Sequence, residues 1–266
     1  GSRPSTCILH TENHDMHRNN ALKYLELKRN ARMTGTDRCE KCWHMNNLCI
    51  CSMLPRVTLS DHIELVVYMD SKEVFNAGDD AKLLSISCPD QTKRFIYAAE
   101  DSELVDYITS LSVSNPSNQA VVLFPSTRAV SCEDFMAKWN AQTRSVPEHV
   151  NSHCHDIPLS DLKSSGEIRN DVDNESHVKA RKLTIIVVDA VWRHARRMAQ
   201  RLHVLLPDVP HVQLSPEQFS VYARKQSQPD RICTVEATAL FLSHIGGASS
   251  LACDQLVDCV RINNTA

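Results

Sequence analysis

The sequence predicts an α/β fold in which a mainly parallel sheet carries helices on both faces. The apolar run 120–124 (AVVLF) shows no polar alternation, which is typical of a strand buried on both faces, and 183–188 (LTIIVV) is the clearest buried strand. The segment 62–69 (HIELVVYM) is rich in β-branched residues and predicts a further strand. Helical segments separate these runs, and strands that alternate with helices indicate a parallel sheet.

The elements follow one another in a simple order. We predict a tail over 1–14 that begins with a Gly1-Ser2 cloning scar, a helix over 15–32, and a cysteine-rich head that ends near residue 60. The predicted strands are 62–69, 94–98, 120–124 and 183–188. The predicted helices are 102–111 with Ser102 as N-cap, 131–140, 192–206 and 234–244. Residues 141–180 are polar and rich in histidine, and they predict a flexible surface insertion into a catalytic domain over 61–262.

Composition excludes several classes of protein. The 266 residues are 42% hydrophobic and 23% charged, as in an ordinary soluble globular protein. No run is long enough to cross a bilayer and no secretory signal is visible, so we expect a cytoplasmic or nuclear location. The formal net charge is −3, so any contact with RNA must come from a local basic patch. With six glycines and no Gly-x-Gly-x-x-Gly or P-loop, a dinucleotide-binding fold or an NTPase is disfavoured.

Four of the 11 cysteines lie close together, as Cys39-x2-Cys42-x6-Cys49-x-Cys51. Zinc takes four thiolates in a tetrahedron, and Cys-x2-Cys is the usual first half of such a site. A redox Cys-x-x-Cys pair is the alternative, but a redox motif would not need a second pair of cysteines. The spacing therefore predicts one structural zinc ion, and the dispersed cysteines are expected to be buried apolar residues.

Two predicted strands end in residues suited to a site. One is followed by Pro125 and Ser126, and the other by Asp189, Ala190 and Trp192. Ligands of open α/β sheets bind beyond the carboxyl ends of the strands. We therefore expect a binding site where these two strands end.

Four features in this order resemble the DTW-domain proteins, which are tRNA-uridine aminocarboxypropyltransferases. The features are the four-cysteine head, Leu123-Phe124-Pro125-Ser126, Asp189-x-x-Trp192-x-x-Ala195-x-x-Met198, and Arg224-Lys225 followed by Thr234-Val235-Glu236-Ala237. The segment Asn76-x-Gly78 also matches. The resemblance runs from about residue 38 to residue 242, with the insertion as an interruption. The family's Asp-x-Thr-Trp carries Val191 in place of the threonine, and its Asn-Thr-Gly carries Ala77.

The resemblance implies transfer of the 3-amino-3-carboxypropyl group from S-adenosylmethionine to N3 of a tRNA uridine, which leaves 5′-methylthioadenosine. It also implies a fold related to the SPOUT methyltransferases, whose backbone is knotted. Asp189 is our candidate for the base that assists attack by N3, with donor binding and helix capping as its alternative roles. Trp192 is expected either to lie against the donor or to belong to the core.

The remaining residues are assigned to two sets. The donor-binding set is Phe124, Pro125, Ser126, Asp189, Trp192, Arg224, Thr234 and Glu236. Within it, Arg224 is matched to the donor carboxylate or to an RNA phosphate, and Glu236 to the donor ammonium or to helix capping. The RNA-binding set is Arg193, Arg196, Arg197, Arg201 and Lys225. The arginines recur at helical spacing, so a solvated helix face is the alternative.

Two other functions stay open at this point. An RNA methyltransferase with a similar donor site would release S-adenosylhomocysteine in place of methylthioadenosine. A zinc-headed RNA-binding protein without catalysis would fail to bind the donor. The Asp, Trp, Arg and Glu residues near the strand ends argue against the second of these.

Overall fold

The computed structural model describes residues 6–34, 37–144, 181–215, 220–222 and 231–266. The strands are β1 (Ile63–Met69), β2 (Thr92–Ile96), β3 (Gln119–Leu123), β4 (Val130–Ser131), β5 (Leu183–Asp189) and β6 (His211–Gln213). The helices are α1 (Thr6–Met33), α2 (Lys82–Ser87), α3 (Asp101–Ser114), α4 (Cys132–Arg144), α5 (Trp192–Leu205), α6 (Thr234–Ile245) and α7 (Ser250–Asn264). The predicted α/β class is confirmed.

All six strands belong to one parallel sheet with the order β2-β1-β5-β3-β6-β4. The strand β5 is buried along its whole length between β1 and β3, which explains why it is apolar at every position except Thr184 and the terminal Asp189. Met69 pairs with Asp189, so β1 and β5 end at the same edge of the sheet. Because β3 ends beside Val187, the three central strands end at the same edge of the sheet, where the site is predicted.

Helices cover both faces of the sheet, as predicted. Alternate residues of β5 point to opposite sides, so Ile185 and Val187 join one apolar cluster while Ile186 and Val188 join the other. The first cluster includes α2, α4, α6 and α7, and the second includes α3 and α5. The family's knot stays a prediction.

The prediction that the chain's last helix spans 234–244 is wrong, because α7 follows it. The break between them comes from Gly246, which ends α6 in the left-handed conformation, and α7 restarts with Ser249 as its N-cap. The buried stripe of α7 includes Cys253 and Cys259 among aliphatic residues. The buried residues recur at helical spacing, so the sequence carried a signal for this helix that the prediction overlooked. The short elements α2, β4 and β6 were also missed.

Ser102 was predicted as the N-cap of α3, and this is wrong: the N-cap is Glu100. Asp101 accepts hydrogen bonds from the amide of Ala98 at 2.9 Å and from the hydroxyl of Tyr68 at 2.6 Å. These bonds fix the backbone at Asp101, the first residue of the helix. Ser102 therefore lies inside the first turn and does not cap it. Helix α1 also begins earlier than predicted, at Thr6, so much of the expected tail is helical.

The cysteine-rich head packs against the end of the domain that carries the site. The ring of Trp43 meets Phe75 edge-on with centroids 4.7 Å apart. His44 Nε2 lies 3.1 Å from the Asn263 side-chain oxygen on α7, and Cys42 is fully buried in the core. Among the described residues, no helix is both long and apolar enough to span a membrane.

Candidate active site and metal centre

An open cavity of about 570 Å³ lies at the carboxyl edge of the sheet. The ends of β3 and β5 form its floor, the first turn of α5 forms one wall, and the beginning of α6 forms another. Of the predicted site residues, the cavity brings together Phe124, Pro125, Asp189, Trp192, Arg193, Arg196 and Thr234. Ser126 lies just beyond, in the turn that its carbonyl closes by accepting the amide of Ala129 at 3.0 Å.

Three buried aspartates meet in the wall of this cavity. Asp79, Asp80 and Asp189 each offer an oxygen, and these oxygens lie within 4.8 Å of one another. Asp80 accepts the amide of Val235 at 2.9 Å, at the amino end of α6, where the helix dipole favours negative charge. Asp79 accepts the amide of Lys82 at 3.1 Å. The backbone amides of Val235 and Lys82 therefore stabilise part of the cluster's negative charge.

Asp189 itself is incompletely satisfied. Its Oδ1 accepts a hydrogen bond from the Thr234 hydroxyl at 3.3 Å. Its Oδ2 is buried and has no hydrogen-bond partner among the described residues. A buried oxygen without a donor is unfavourable unless a ligand supplies one. Asp189 does not cap α5, whose N-cap is Val191, so that alternative role is excluded.

Burial and mutual repulsion raise the pKa of all three carboxyl groups. For Asp79 the main cause is loss of solvent and the second is the charge of Asp80, and together they raise its pKa to about 7. Burial, followed by the charges of Asp79 and Asp80, raises the pKa of Asp189 well above its usual value. Burial likewise lowers the pKa of the adjacent Lys82 ammonium. The cluster therefore has a strong tendency to take up either protons or a cation.

This electrostatic strain predicts an unusual dependence of stability on pH. A carboxyl group whose folded pKa is raised contributes stability below its unfolded pKa, and that contribution disappears as pH rises through the folded pKa. For Asp79 the window runs from 3.8 to about 7. The ligand-free protein should lose on the order of 2 kcal/mol across it. Asp79→Asn should show a smaller fall in melting temperature between about pH 5.5 and pH 8, and equal falls in both proteins would contradict the assignment.

The opposite wall of the cavity is aromatic. The rings of Phe124 and Trp192 lie 5.7 Å apart at a tilt of 41°. The guanidinium of Arg231 lies over the Trp192 ring, 4.2 Å from its centre. Trp192 is half-buried, and it contacts the core on α5 while also lining the cavity. The structure thus shows the core packing of Trp192, and its contact with the donor stays a prediction.

Glu236 is engaged in capping. Its carboxylate accepts the amides of Cys233 at 2.8 Å and Val221 at 2.6 Å, as well as the hydroxyl of Ser220. The first of these bonds belongs to a capping box at the start of α6. The other two hold the segment that places Tyr222 at the cavity, where its hydroxyl donates to the carbonyl of Gly78. Of the two roles predicted for Glu236, contact with the donor ammonium and helix capping, the structure shows capping.

Val191 occupies the place of the family's threonine and is the N-cap of α5, with 47% of its surface exposed. It makes no side-chain capping bond, whereas a threonine hydroxyl at this position caps a helix. We expect Val191→Thr to stabilise the protein by about 1 kcal/mol, because it satisfies a free amide of the first turn. Thermal melting should show the gain for Val191→Thr and none for Val191→Ala. A lower melting temperature for Val191→Thr would contradict this.

The four arginines of the predicted RNA-binding stripe fall into two groups. Arg193 and Arg196 are exposed at the rim of the cavity, and Arg197 is exposed on the adjoining surface. Arg201 instead forms an ion pair with the buried Asp101, with Nε 3.0 Å from Oδ2. Its spacing matches the others, but its contact is internal, so Arg201 contributes to the packing of α5 against α3. Arg224, Lys225 and most of the predicted insertion lie outside the described residues.

The four head cysteines bring their sulfurs together. Cys39 Sγ lies 3.6 Å from Cys51 Sγ, and Cys42 Sγ lies 3.8 Å from Cys49 Sγ. Four sulfurs at about 2.3 Å from a zinc ion are about 3.8 Å apart, so this cluster fits a tetrahedral site and can hold zinc. All four are free thiols, which excludes a disulfide within the cluster. The dispersed cysteines that the structure describes with side chains are buried, as predicted: Cys88, Cys132, Cys233, Cys253 and Cys259.

Sequence reasoning missed the loop that supplies Asp79 and Asp80. Within this loop, Asn76 accepts the amide of Gly78 at 3.0 Å and donates to Glu73 at 2.7 Å. Lys82 closes the loop by donating to the carbonyls of Asn76 and Ala77. The available signal was two adjacent aspartates two residues before an apolar pair, Leu83 and Leu84. In the sequence alone, this pattern indicates a turn. Its place in the site becomes apparent only when the strand that packs against it is known.

The fold and site define an α/β protein with a four-cysteine cluster that can hold a metal ion and an acidic cavity at the carboxyl edge of a parallel sheet. The family profile described as "DTW domain" matches residues 36–264. The chain therefore belongs to the DTW-domain family, a family of tRNA-modifying enzymes. No curated protein and no solved structure shows significant similarity to it.

Proposed function

We propose that the chain transfers the 3-amino-3-carboxypropyl group of S-adenosylmethionine to N3 of a tRNA uridine and releases 5′-methylthioadenosine. The observation that supports this most strongly is the buried Asp189 carboxylate, which lines the cavity and has one oxygen with no hydrogen-bond partner among the described residues. The donor carries a sulfonium and an ammonium, so it brings positive charge to a cavity whose wall holds three carboxyl groups. Family membership supports tRNA as the acceptor.

The acidic cluster is suited to bind the donor's cationic part. A positive charge close to buried carboxyl groups lowers their pKa and favours their ionised form. The donor would therefore offset the repulsion among Asp79, Asp80 and Asp189, and it would leave Asp189 ionised. The buried ring of Phe124 and the half-buried ring of Trp192 supply an apolar surface on the other side of the cavity for the adenosine.

The reaction breaks the bond from sulfur to the carboxypropyl carbon, forms a bond from that carbon to uridine N3, and releases the N3 proton. Asp189 is proposed to accept this proton, because burial gives it a higher proton affinity than an ordinary aspartate has. Thr234 holds the carboxylate through Oδ1 and leaves Oδ2 for the reaction. Whether this carbon or the methyl is transferred depends on which of them faces the nucleophile.

Arg193 and Arg196 are proposed to bind the phosphates that flank the target uridine. Both are exposed at the rim of the cavity, on the first turns of α5. Contacts from arginine to phosphate fix the position of an RNA without reading its sequence. The zinc ion proposed for the four-cysteine head supplies structural stability, since four protein thiolates leave no open coordination position.

Analysis of the small product tests this proposal. Purified protein, S-adenosylmethionine and bulk cellular tRNA should yield 5′-methylthioadenosine in proportion to the RNA modified. S-adenosylhomocysteine as the product would show a methyltransferase instead. Absence of both products, together with failure to bind a non-hydrolysable donor analogue, would show an RNA-binding protein without catalysis.

A further inference from the structure

A second surface groove, of about 340 Å³, lies between α1 and the body of the domain. Tyr24 and His17 of α1 form one side of it. Lys72 and Tyr97, which follow β1 and β2, and His194 and Arg197 of α5 form the other side. The same helix α5 lines the active-site cavity with Arg193 and Arg196, so the groove and the cavity adjoin along one helix.

The face that α1 turns toward the groove is mostly polar. His17, Asn20 and Tyr24 line it together with Ala21, and they share one side of the helix by their spacing of three and four residues, while Ala21 and Leu25 pack against the core. The larger apolar residues Leu22 and Leu27 point to solvent, with 45% and 61% of their surfaces exposed. A helix held only by packing against the protein core would turn such residues inward. Helix α1 instead offers the groove groups that form hydrogen bonds and stack.

The C-terminal part of helix α1 is also basic. Over residues 16–32 it carries five Lys or Arg residues against the single acid Glu26, a net charge of +4, and Glu12 and Asp15 reduce the net charge of the whole helix to +2, in a chain whose total is −3. The basic residues are Arg18, Lys23, Lys28, Arg29 and Arg32. Arg197 and Lys72 add two exposed cations from the opposite side of the groove. So large a local excess in an acidic protein indicates an anionic partner.

The acidic groups near the groove are engaged. Asp70 lines the groove, but its Oδ2 lies 2.6 Å from Nδ1 of His194, and its Oδ1 accepts the amide of Lys72. Glu103 pairs with Arg18 at 3.2 Å. Tyr24 and Tyr97 are half-buried, so a face of each ring can receive a base or a ribose, and the ammonium of Lys28 lies 5.6 Å from the centre of the Tyr24 ring.

We propose that this groove is an RNA-binding surface that holds the phosphate backbone of the tRNA at a distance from the modified uridine. The inference rests on tRNA being the substrate, as proposed above. Cations on two sides of the groove can bind the phosphates of a nucleic-acid strand, and the aromatic rings between them can stack on its bases. Because α5 joins the groove to the cavity, a bound tRNA would contact α1 while its uridine enters the active site.

The test compares matched charge reversals in the full chain. Lys72→Glu reverses a charge that lines the groove and Lys28→Glu reverses one beside the Tyr24 ring, whereas Lys138→Glu with Lys182→Glu makes the same change in charge at exposed positions outside the groove. The measurement is tRNA affinity over a series of salt concentrations, with donor affinity measured in parallel by calorimetry. At low salt the groove variant should bind tRNA at least about tenfold more weakly, and its salt slope should fall by about 1 to 2. The control variant should retain wild-type binding, and donor affinity should not change in either.

Tyr24 provides an independent readout. Tyr24→Ala should weaken tRNA binding several-fold, whereas Tyr24→Phe should retain it, because stacking needs the ring and not the hydroxyl. Equal tRNA affinity and salt slope in the groove variant and the control would overturn the proposal. If the groove variant loses tRNA affinity while the wild type forms no methylthioadenosine, the groove is supported and the proposed transferase activity is not. Wild-type protein that does not bind tRNA at low salt would overturn the groove proposal.

Discussion

Asp189→Asn is expected to lower the rate of transfer to tRNA at saturating donor by about a hundredfold or more. The amide keeps the shape of the side chain but cannot accept the N3 proton, and removal of a positioned acid–base group typically has an effect of this size. Single-turnover transfer at saturating donor is the measurement, with the donor concentration raised until the rate is constant. A purely donor-binding role would give near-normal rates at saturation and a large rise in the apparent donor constant.

The same substitution has a second expected effect that separates catalysis from folding. Asp189 is buried beside Asp79 and Asp80, so loss of its charge removes repulsion inside the protein. At about pH 8, where repulsion is greatest, ligand-free Asp189→Asn should melt at a temperature equal to or above that of the wild type. A variant that is slow yet stable would assign the loss to chemistry. A near wild-type rate would remove Asp189 from catalysis.

Loss of the metal is expected to have the largest effect on stability. Purified protein should contain about one zinc per chain, and Cys42→Ser should lose it, because Cys42 is a buried member of the four-thiol cluster. We expect a fall in melting temperature on the order of 10 °C, since the short head has little core of its own and depends on the metal. Cys88→Ser is the matched control: it replaces a buried cysteine outside the cluster and should keep the zinc.

The metal centre should also affect the active site. Trp43 follows Cys42 and packs on Phe75, which belongs to the loop that ends in Asp79 and Asp80. Loosening the head should therefore weaken donor binding as well as lower stability. Metal analysis and donor calorimetry on Cys42→Ser and Cys88→Ser measure both effects. A native disulfide among the four head cysteines, or full zinc content in Cys42→Ser, would refute the metal assignment.

The parts of the fold that the sequence predicted are those in which a local pattern determines structure. The β5 strand is apolar at five of its first six positions because it is buried on both faces, and four cysteines within thirteen residues have few uses other than a metal. Asp189 was found because it ends that strand. In each case neighbours in sequence were sufficient.

The parts that were missed depend on residues far apart in the chain. Asp79 and Asp80 become a site only when β1 and β5 pair and α6 begins beside them, a contact across more than a hundred residues. Arg201 has the spacing of a surface arginine, but its partner Asp101 lies on another helix. Helical periodicity describes one helix and cannot reveal which residues of other elements it meets.

The most direct test of the central claim uses two samples of S-adenosylmethionine, one labelled in the aminocarboxypropyl group and one in the methyl group. Each is incubated with the protein and tRNA, and the purified tRNA is digested to nucleosides. The proposal predicts that only the aminocarboxypropyl label enters tRNA, on uridine at N3, and that Asp189→Asn transfers it at least about a hundredfold more slowly. Methyl label in the tRNA, or neither label with an intact donor, would contradict it.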